Sequence, residues 1–135
     1  MFEGRVGEYR LRRQKGGVGY FGQVRVRVAA AEGSGAAVVW RVDEDDTSSL
    51  QPGPDREFVD AALAGAADGL DLVSRCGPEP AGVVVEVVHA QFDPTDLEES
   101  AVRAAAALAV SAAFGVADRV ELRFDAGWTV GLGNA

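Results

Sequence analysis

The chain has 135 residues and a mass of 14.1 kDa, and 47% hydrophobic with 25% charged residues describes one buried core, not two and not a disordered polymer. No apolar run approaches the roughly 20 residues of a membrane span, and the opening Met-Phe-Glu-Gly-Arg lacks the apolar core of a signal peptide, so a single soluble, cytoplasmic domain over residues 1–135 is expected. Net charge is −8, unevenly placed: residues 1–27 hold seven basic and two acidic groups, +5, and the remainder six basic and nineteen acidic, −13.

In chain order, Tyr9 and Leu11 alternate with Arg10 and Arg12, the period of a strand over about residues 7–14. Gly17, Gly19 and Gly22 then spell GxGxxG, the fingerprint of a dinucleotide loop. That fingerprint needs a helix behind it, whose free N–H groups would meet a pyrophosphate. Here Val24, Val26 and Val28 alternate with Arg25 and Arg27, which is a second strand over about 22–30. The glycine-rich stretch therefore closes a hairpin. Arg10, Arg12, Arg25 and Arg27 should share its solvent face, with Lys15 at its end. Such a basic ribbon is either a phosphate-backbone contact or an ordinary solvated strand face paired with carboxylates such as Glu86.

After a turn at Glu32-Gly-Ser-Gly35, a third strand is predicted over 36–42 and, beyond a polar connection, a helix over 55–73 with Phe58, Ala62, Gly65, Gly69 and Leu72 at helical spacing. The apolar run Val83–Ala90 predicts a strand buried on both faces or central in its sheet. Thr95-Asp-Leu-Glu98 reads as a capping box, with Thr95 as the cap of a second, alanine-rich helix that ends near Phe114 with Gly115 in a left-handed conformation. Its alanines predict close packing. Residues 119–130, with Val120, Leu122 and Phe124 alternating, predict an edge strand or returning tail.

Catalytic patterns are missing from the sequence. The one histidine, His89, sits in the apolar strand and reads as a satisfied strand-end imidazole, and no GxxxxGK[ST] is present to hold GTP. Asp43-Glu44-Asp45-Asp46 lacks the spacing of a calcium loop, and Glu98 and Glu99 belong at a helix start. The one cysteine, Cys76, can form neither an internal disulfide nor a cysteine metal cluster. The expectation is a non-enzymatic protein without metal, cofactor or nucleotide.

The pattern Gln14-x-Gly16-Gly17-x-Gly19-x-Phe21-Gly22-x-Val24-x-Val26 resembles the start of domain IV of elongation factor G, the translocation GTPase. Further matches follow in the same order. Glu57-Phe58-Val59-x-Ala61-x-x-x-Gly65 is similar to that domain's first helix start, and Gly77-Pro78 before Val83-Val84-Val85 to the approach to its fourth strand. Glu99-x-Ala101-x-x-Ala104-Ala105-Ala106 is similar to its second helix. Together they span about residues 8–125. The expected fold is an α/β (α+β) two-layer sandwich, β-β-β-α-β-α, with both helices on one face of a four-stranded sheet; the resemblance adds a left-handed βαβ crossover, against the general right-handed preference.

In that family the domain reaches the decoding region of the small ribosomal subunit. The resemblance implies a reaching end made of the glycine loop, residues 15–22, and the loop at 91–96. The implied RNA or ribosome contacts are Arg10, Arg12, Arg13, Lys15, Gly16, Gly17, Gly19, Phe21, Gln23, Arg25, Arg27, Asp93 and Thr95. In the second loop the sequence departs from the family: Asp93 stands where the family has a tip histidine, and the serine pair that follows the family's aspartate is replaced by Leu97 and Glu98. Two functions follow. One is a translation-factor-like module, without a GTPase domain, directed to the small ribosomal subunit or RNA. The other is a diverged scaffold or protein-interaction domain that no longer acts on the ribosome.

Overall fold

A computed structural model describes residues 2–77 and 79–133. The first two strands, β1 (Val6–Lys15) and β2 (Val18–Ala30), form a long antiparallel hairpin; β3 (Ala36–Trp40) follows, then helix α1 (Arg56–Cys76), β4 (Val83–Ala90) and helix α2 (Glu99–Ala113). The sheet order is β1-β2-β4-β3, with β3 parallel to β4 and the other neighbours antiparallel. Both helices cover one face of this mixed sheet, so the fold is the expected two-layer sandwich.

The inner face of the sheet explains its composition. Val24, Val26 and Val28 of β2 and Val83, Val85 and Val87 of β4 all point into the layer under the helices, and all but Val83 are fully buried. β-Branched side chains suit the pleat, and each such burial contributes about 1.5–3 kcal/mol relative to exposure. Against them lie Val59, Ala62, Ala66 and Val73 of α1 and Val102, Ala105, Ala106, Ala109 and Val110 of α2. β4 is central, as expected, but its burial alternates instead of covering both faces, because no second layer of the described residues closes the outer side of the sheet.

Small residues set how near α2 lies to the hairpin. A Cβ at Gly22 would stand 2.5 Å from the Ala101 carbonyl, and one at Gly7 would collide with the Ala109 carbonyl. The alanines of α2 therefore face glycines, and backbone packs on backbone.

Several boundaries differ from the sequence expectation. β2 begins at Val18 and not at residue 22, because the turn needs only Gly16 and Gly17, which take φ of 57° and 83° in a two-residue hairpin connection. β3 stops at Trp40, two residues early. The cap of α2 is Glu98 and not Thr95: the Glu98 carboxylate accepts from the Ser100 and Ala101 N–H groups, at 3.0 Å each, while Thr95 remains in the preceding loop. Gly115 does take the left-handed conformation, at φ 76°.

The last segment neither joins the main sheet nor trails along it. β5 (Val120–Phe124) and β6 (Trp128–Leu132) form their own two-stranded sheet, entered by a 3₁₀ turn at Ala117–Arg119 and packed on α2. Trp128 drives this arrangement, buried with Leu11, Ala101 and Ala104 in a second small core. Of the resemblance motifs, Pro78 lies outside the described residues.

Candidate nucleic-acid interface

The two-residue turn fixes the hairpin register: Lys15 faces Val18, Arg12 faces Phe21, Arg10 faces Gln23 and Glu8 faces Arg25. Since side chains of directly paired residues share a face, Glu8, Arg10 and Arg12 line up with Phe21, Gln23, Arg25 and Arg27 on the outer face, away from the helices. The ribbon exists where it was expected. Its charge, however, is largely met within the fold.

Arg25 Nε donates to Glu8 Oε1 at 2.9 Å, and Arg27 Nη2 lies 2.8 Å from Glu86 Oε1. Glu86 also receives Arg41, at 3.3 Å. Arg12 bridges to the β4–α2 loop, 3.3 Å from Asp93 Oδ2 and 3.7 Å from Asp96 Oδ2. Arg10 has no carboxylate and donates instead to Gln91 Oε1 at 3.1 Å. Of the two readings of the ribbon, the one that pairs it with carboxylates such as Glu86 describes Arg12, Arg25 and Arg27: cross-strand neighbours of opposite charge pair in preference to remaining solvated, and Glu8 and Glu86 stand directly opposite Arg25 and Arg27.

Phe21 and Gln23 are structural in this arrangement. Phe21 is fully buried, with Arg10 and Arg12 guanidiniums 5.1 and 4.6 Å from its ring centroid, so its face is already occupied and no base can stack on it. Gln23 is 4% exposed; its amide donates to Glu8 Oε2 and its carbonyl oxygen accepts from the Gln91 N–H, both at 3.0 Å.

The two expected loops do come together. The Phe21 N–H donates to the Asp96 carbonyl at 2.8 Å, and the Glu98 N–H donates to the Phe21 carbonyl at 3.3 Å, so the β4–α2 loop runs alongside β2. Gly19 lies beneath Asp96, where a Cβ would stand 2.5 Å from the carboxylate. Gly19 has no positive φ; close approach, not backbone conformation, requires glycine there. Within the loop, Asp93 Oδ1 accepts from the Thr95 and Asp96 N–H groups at 2.9 and 2.8 Å. These bonds, reinforced by Arg12, hold the Asp93 carboxyl below its ordinary pKa. Asp93 is therefore the brace of the loop, and its charge is turned inward.

Beyond the sheet the hairpin projects with Arg13, Lys15, Gly16 and Gly17. Lys15 Nζ lies 5.7 Å from the Phe124 ring centroid and 5.8 Å from that of Trp128, and Tyr20 packs edge-on to both rings. The β5–β6 unit thus supports the tip from the helix side. Arg13 is exposed and donates only to the neighbouring Arg12 carbonyl, at 3.1 Å. Arg10, Arg13 and Lys15 are without carboxylate partners among the described residues.

Sequence reasoning missed Glu8, Gln91 and Asp96 as partners of the ribbon, and Phe124 and Trp128 as the support of Lys15. The Glu8–Arg25 pair follows from the register once the turn is placed at Gly16-Gly17. The others depend on long-range packing and left no local signal. His89 is satisfied, as expected: its Nδ1 is 3.1 Å from Asp46 Oδ2. Asp46 itself is held below the ordinary carboxylate range, first by the Ser48 hydroxyl and N–H. No helix among the described residues is long and apolar enough to cross a membrane.

No protein-family model and no curated protein matches the chain. Among solved structures, the fold is similar to part of a crystal structure of a protein from Thermus thermophilus, with a TM-score of 0.65 and 20% sequence identity over 80% of this chain. The matched region is 15% of that larger protein, and the likeness is one of fold.

Proposed function

We propose that this chain is a non-enzymatic module of the elongation factor G domain IV kind, directed to RNA of the small ribosomal subunit through the end formed by the β1–β2 turn and the β4–α2 loop. The observation that carries this reading is the course of the β4–α2 loop along β2 close to the turn, through the Phe21 N–H and Asp96 carbonyl and the close approach of Gly19 to Asp96, on the hairpin whose end carries Arg13 and Lys15. The contact is narrower than the whole ribbon. Arg13 and Lys15 at the turn, on the helix-side face of β1, and Arg10 on the outer face have no carboxylate partners among the described residues and can displace counterions from a phosphate backbone; Arg12, Arg25 and Arg27 are already paired. Gly16 and Gly17, with no side chains, let a backbone approach the turn.

Co-sedimentation with small ribosomal subunits tests the proposal: association at low salt, released steeply as salt rises, supports it. A second reading, a scaffold that no longer acts on the ribosome, draws on one specific observation. Asp93 neutralises Arg12, and the part-exposed Asp96 places an anion over Gly19 beside the tip, where phosphate would be repelled. A folded, soluble chain that fails to sediment at low salt leaves that reading.

A further inference from the structure

The two edges of the main sheet are protected very differently. β1, at one edge, carries Glu8, Arg10, Arg12, Arg13 and Lys15, and charges of this kind discourage a further strand from pairing. β3, at the other edge, reads Ala-Ala-Val-Val-Trp and has no charge, proline or bulge to block pairing. Its backbone polarity is also resolved. The Arg41 N–H donates to the Val87 carbonyl at 2.8 Å and the Gly35 carbonyl accepts from Gly82 N–H at 2.9 Å, so alternate residues from Gly35 to Arg41 turn their backbone groups towards β4. Ala36, Val38 and Trp40 turn theirs outward, where no strand of the described residues lies.

Beside this edge runs a groove of about 520 Å³ between β3 and α1, with Ala36 and Val38 on one wall, Ala67 and Leu70 on the other, and at its rim Glu79 together with Asp71, whose carboxylate also meets Arg75 at 3.1 Å. Acidic groups also flank both ends of β3, Glu32 before it and, beyond Arg41, whose guanidinium meets Glu86, Asp43, Glu44 and Asp45 after it. We propose that β3 and this groove accept an extended, basic segment of a partner protein, added as a fifth strand with small apolar side chains in the groove and lysine or arginine at the acidic rim. A second copy of this chain is disfavoured as occupant, since the approach would bring together two molecules of net charge −8 with acidic flanks on both.

The proposal is independent of the ribosomal reading, because the edge lies across the sheet from the hairpin. It is tested on the full chain with an extended peptide of alternating valine and lysine, about ten residues long. Backbone amide resonances of β3 and the α1 residues at the groove should shift on titration. The same peptide N-methylated at alternate residues on its pairing edge should not bind. Ala36→Pro removes an outward N–H without touching the ladder to β4, and should abolish binding at unchanged melting temperature. Asp71→Lys with Glu79→Lys should weaken binding about tenfold or more. Equal binding of the N-methylated peptide, absence of shifts on β3 at millimolar peptide, or a concentration-dependent dimer lost in Ala36→Pro would each overturn it, the last in favour of a second copy. Ribosomal sedimentation of Ala36→Pro should match the wild type, which separates failure here from failure of the proposed function.

Discussion

Arg12 on β1 reaches across β2 to Asp93 in the β4–α2 loop, 3.3 Å between Nη2 and Oδ2, with the Phe21 ring held beneath its guanidinium. One arginine thereby ties the hairpin to the loop, and the loop carboxylate is occupied in fixing its own backbone. Asp93→Asn keeps one acceptor but loses the charge, and should cost about 1 kcal/mol in chemical denaturation. Asp93→His loses the Thr95 and Asp96 acceptor as well, so it should loosen the loop, seen as faster amide exchange at Thr95 and Asp96. Unchanged exchange in that variant would show that Asp93 does not brace the loop.

Acid should weaken the same region first. The pKa of Asp93 is lowered by the Asp96 and Thr95 N–H groups, and that of Glu8 by Arg25 and Gln23. A depressed folded-state pKa contributes stability that is complete above the unfolded value, about 4, and is lost as pH falls through the folded value. Melting temperature should therefore fall below about pH 4. Asp93→Asn combined with Glu8→Gln should make that limb shallower, leaving the part that belongs to Asp46, and an acid limb as steep as the wild type's would place the effect elsewhere.

Close packing of α2 on the hairpin predicts intolerance at Gly22. Gly22→Ala sets a methyl against the Ala101 backbone and should destabilise by about 1–3 kcal/mol, with the cost read from urea unfolding. Gly19→Val should be unfavourable for a related reason, by displacing the Asp96 carboxylate, whereas Gly16→Val is strained through its φ of 57° with open space around it. Gly22→Ala at wild-type stability would mean that the helix shifts freely.

Nucleotide binding should be undetectable. Gly17, Gly19 and Gly22 lead into and along β2, so no helix N-terminus stands behind the GxGxxG to receive a pyrophosphate. Saturable micromolar binding of GTP or NAD in calorimetry would contradict the hairpin as the reason for these glycines.

The elements were legible because their periods are strong: alternation of Val24, Val26 and Val28 marks β2, and Val83–Ala90 was placed to the residue. Thr95 misled because its capping-box spacing is satisfied in sequence, while Glu98, one helical turn on, supplies the acceptors in space. The β5–β6 unit escaped because its stability comes from Trp128 packing on Leu11 and Ala104, contacts far apart in the chain. The ribbon of arginines was read correctly as a face and, through Glu86, partly as a paired one; the other carboxylates that meet it are Glu8, on β1 itself, and Asp93 and Asp96 in the loop before α2.

Sedimentation with small ribosomal subunits, compared between two double variants, separates the hairpin tip from the sheet face as the RNA contact. Arg13→Glu with Lys15→Glu changes the tip; Arg25→Glu with Glu8→Arg reverses a pair that is already satisfied. With both variants folded by circular dichroism, the first should lose the salt-sensitive association, with the salt slope reduced by about one per phosphate contact removed, and the second should retain it. Retention by the first and loss by the second would overturn the proposed function as stated, placing the RNA contact on the outer sheet face and not at the turn.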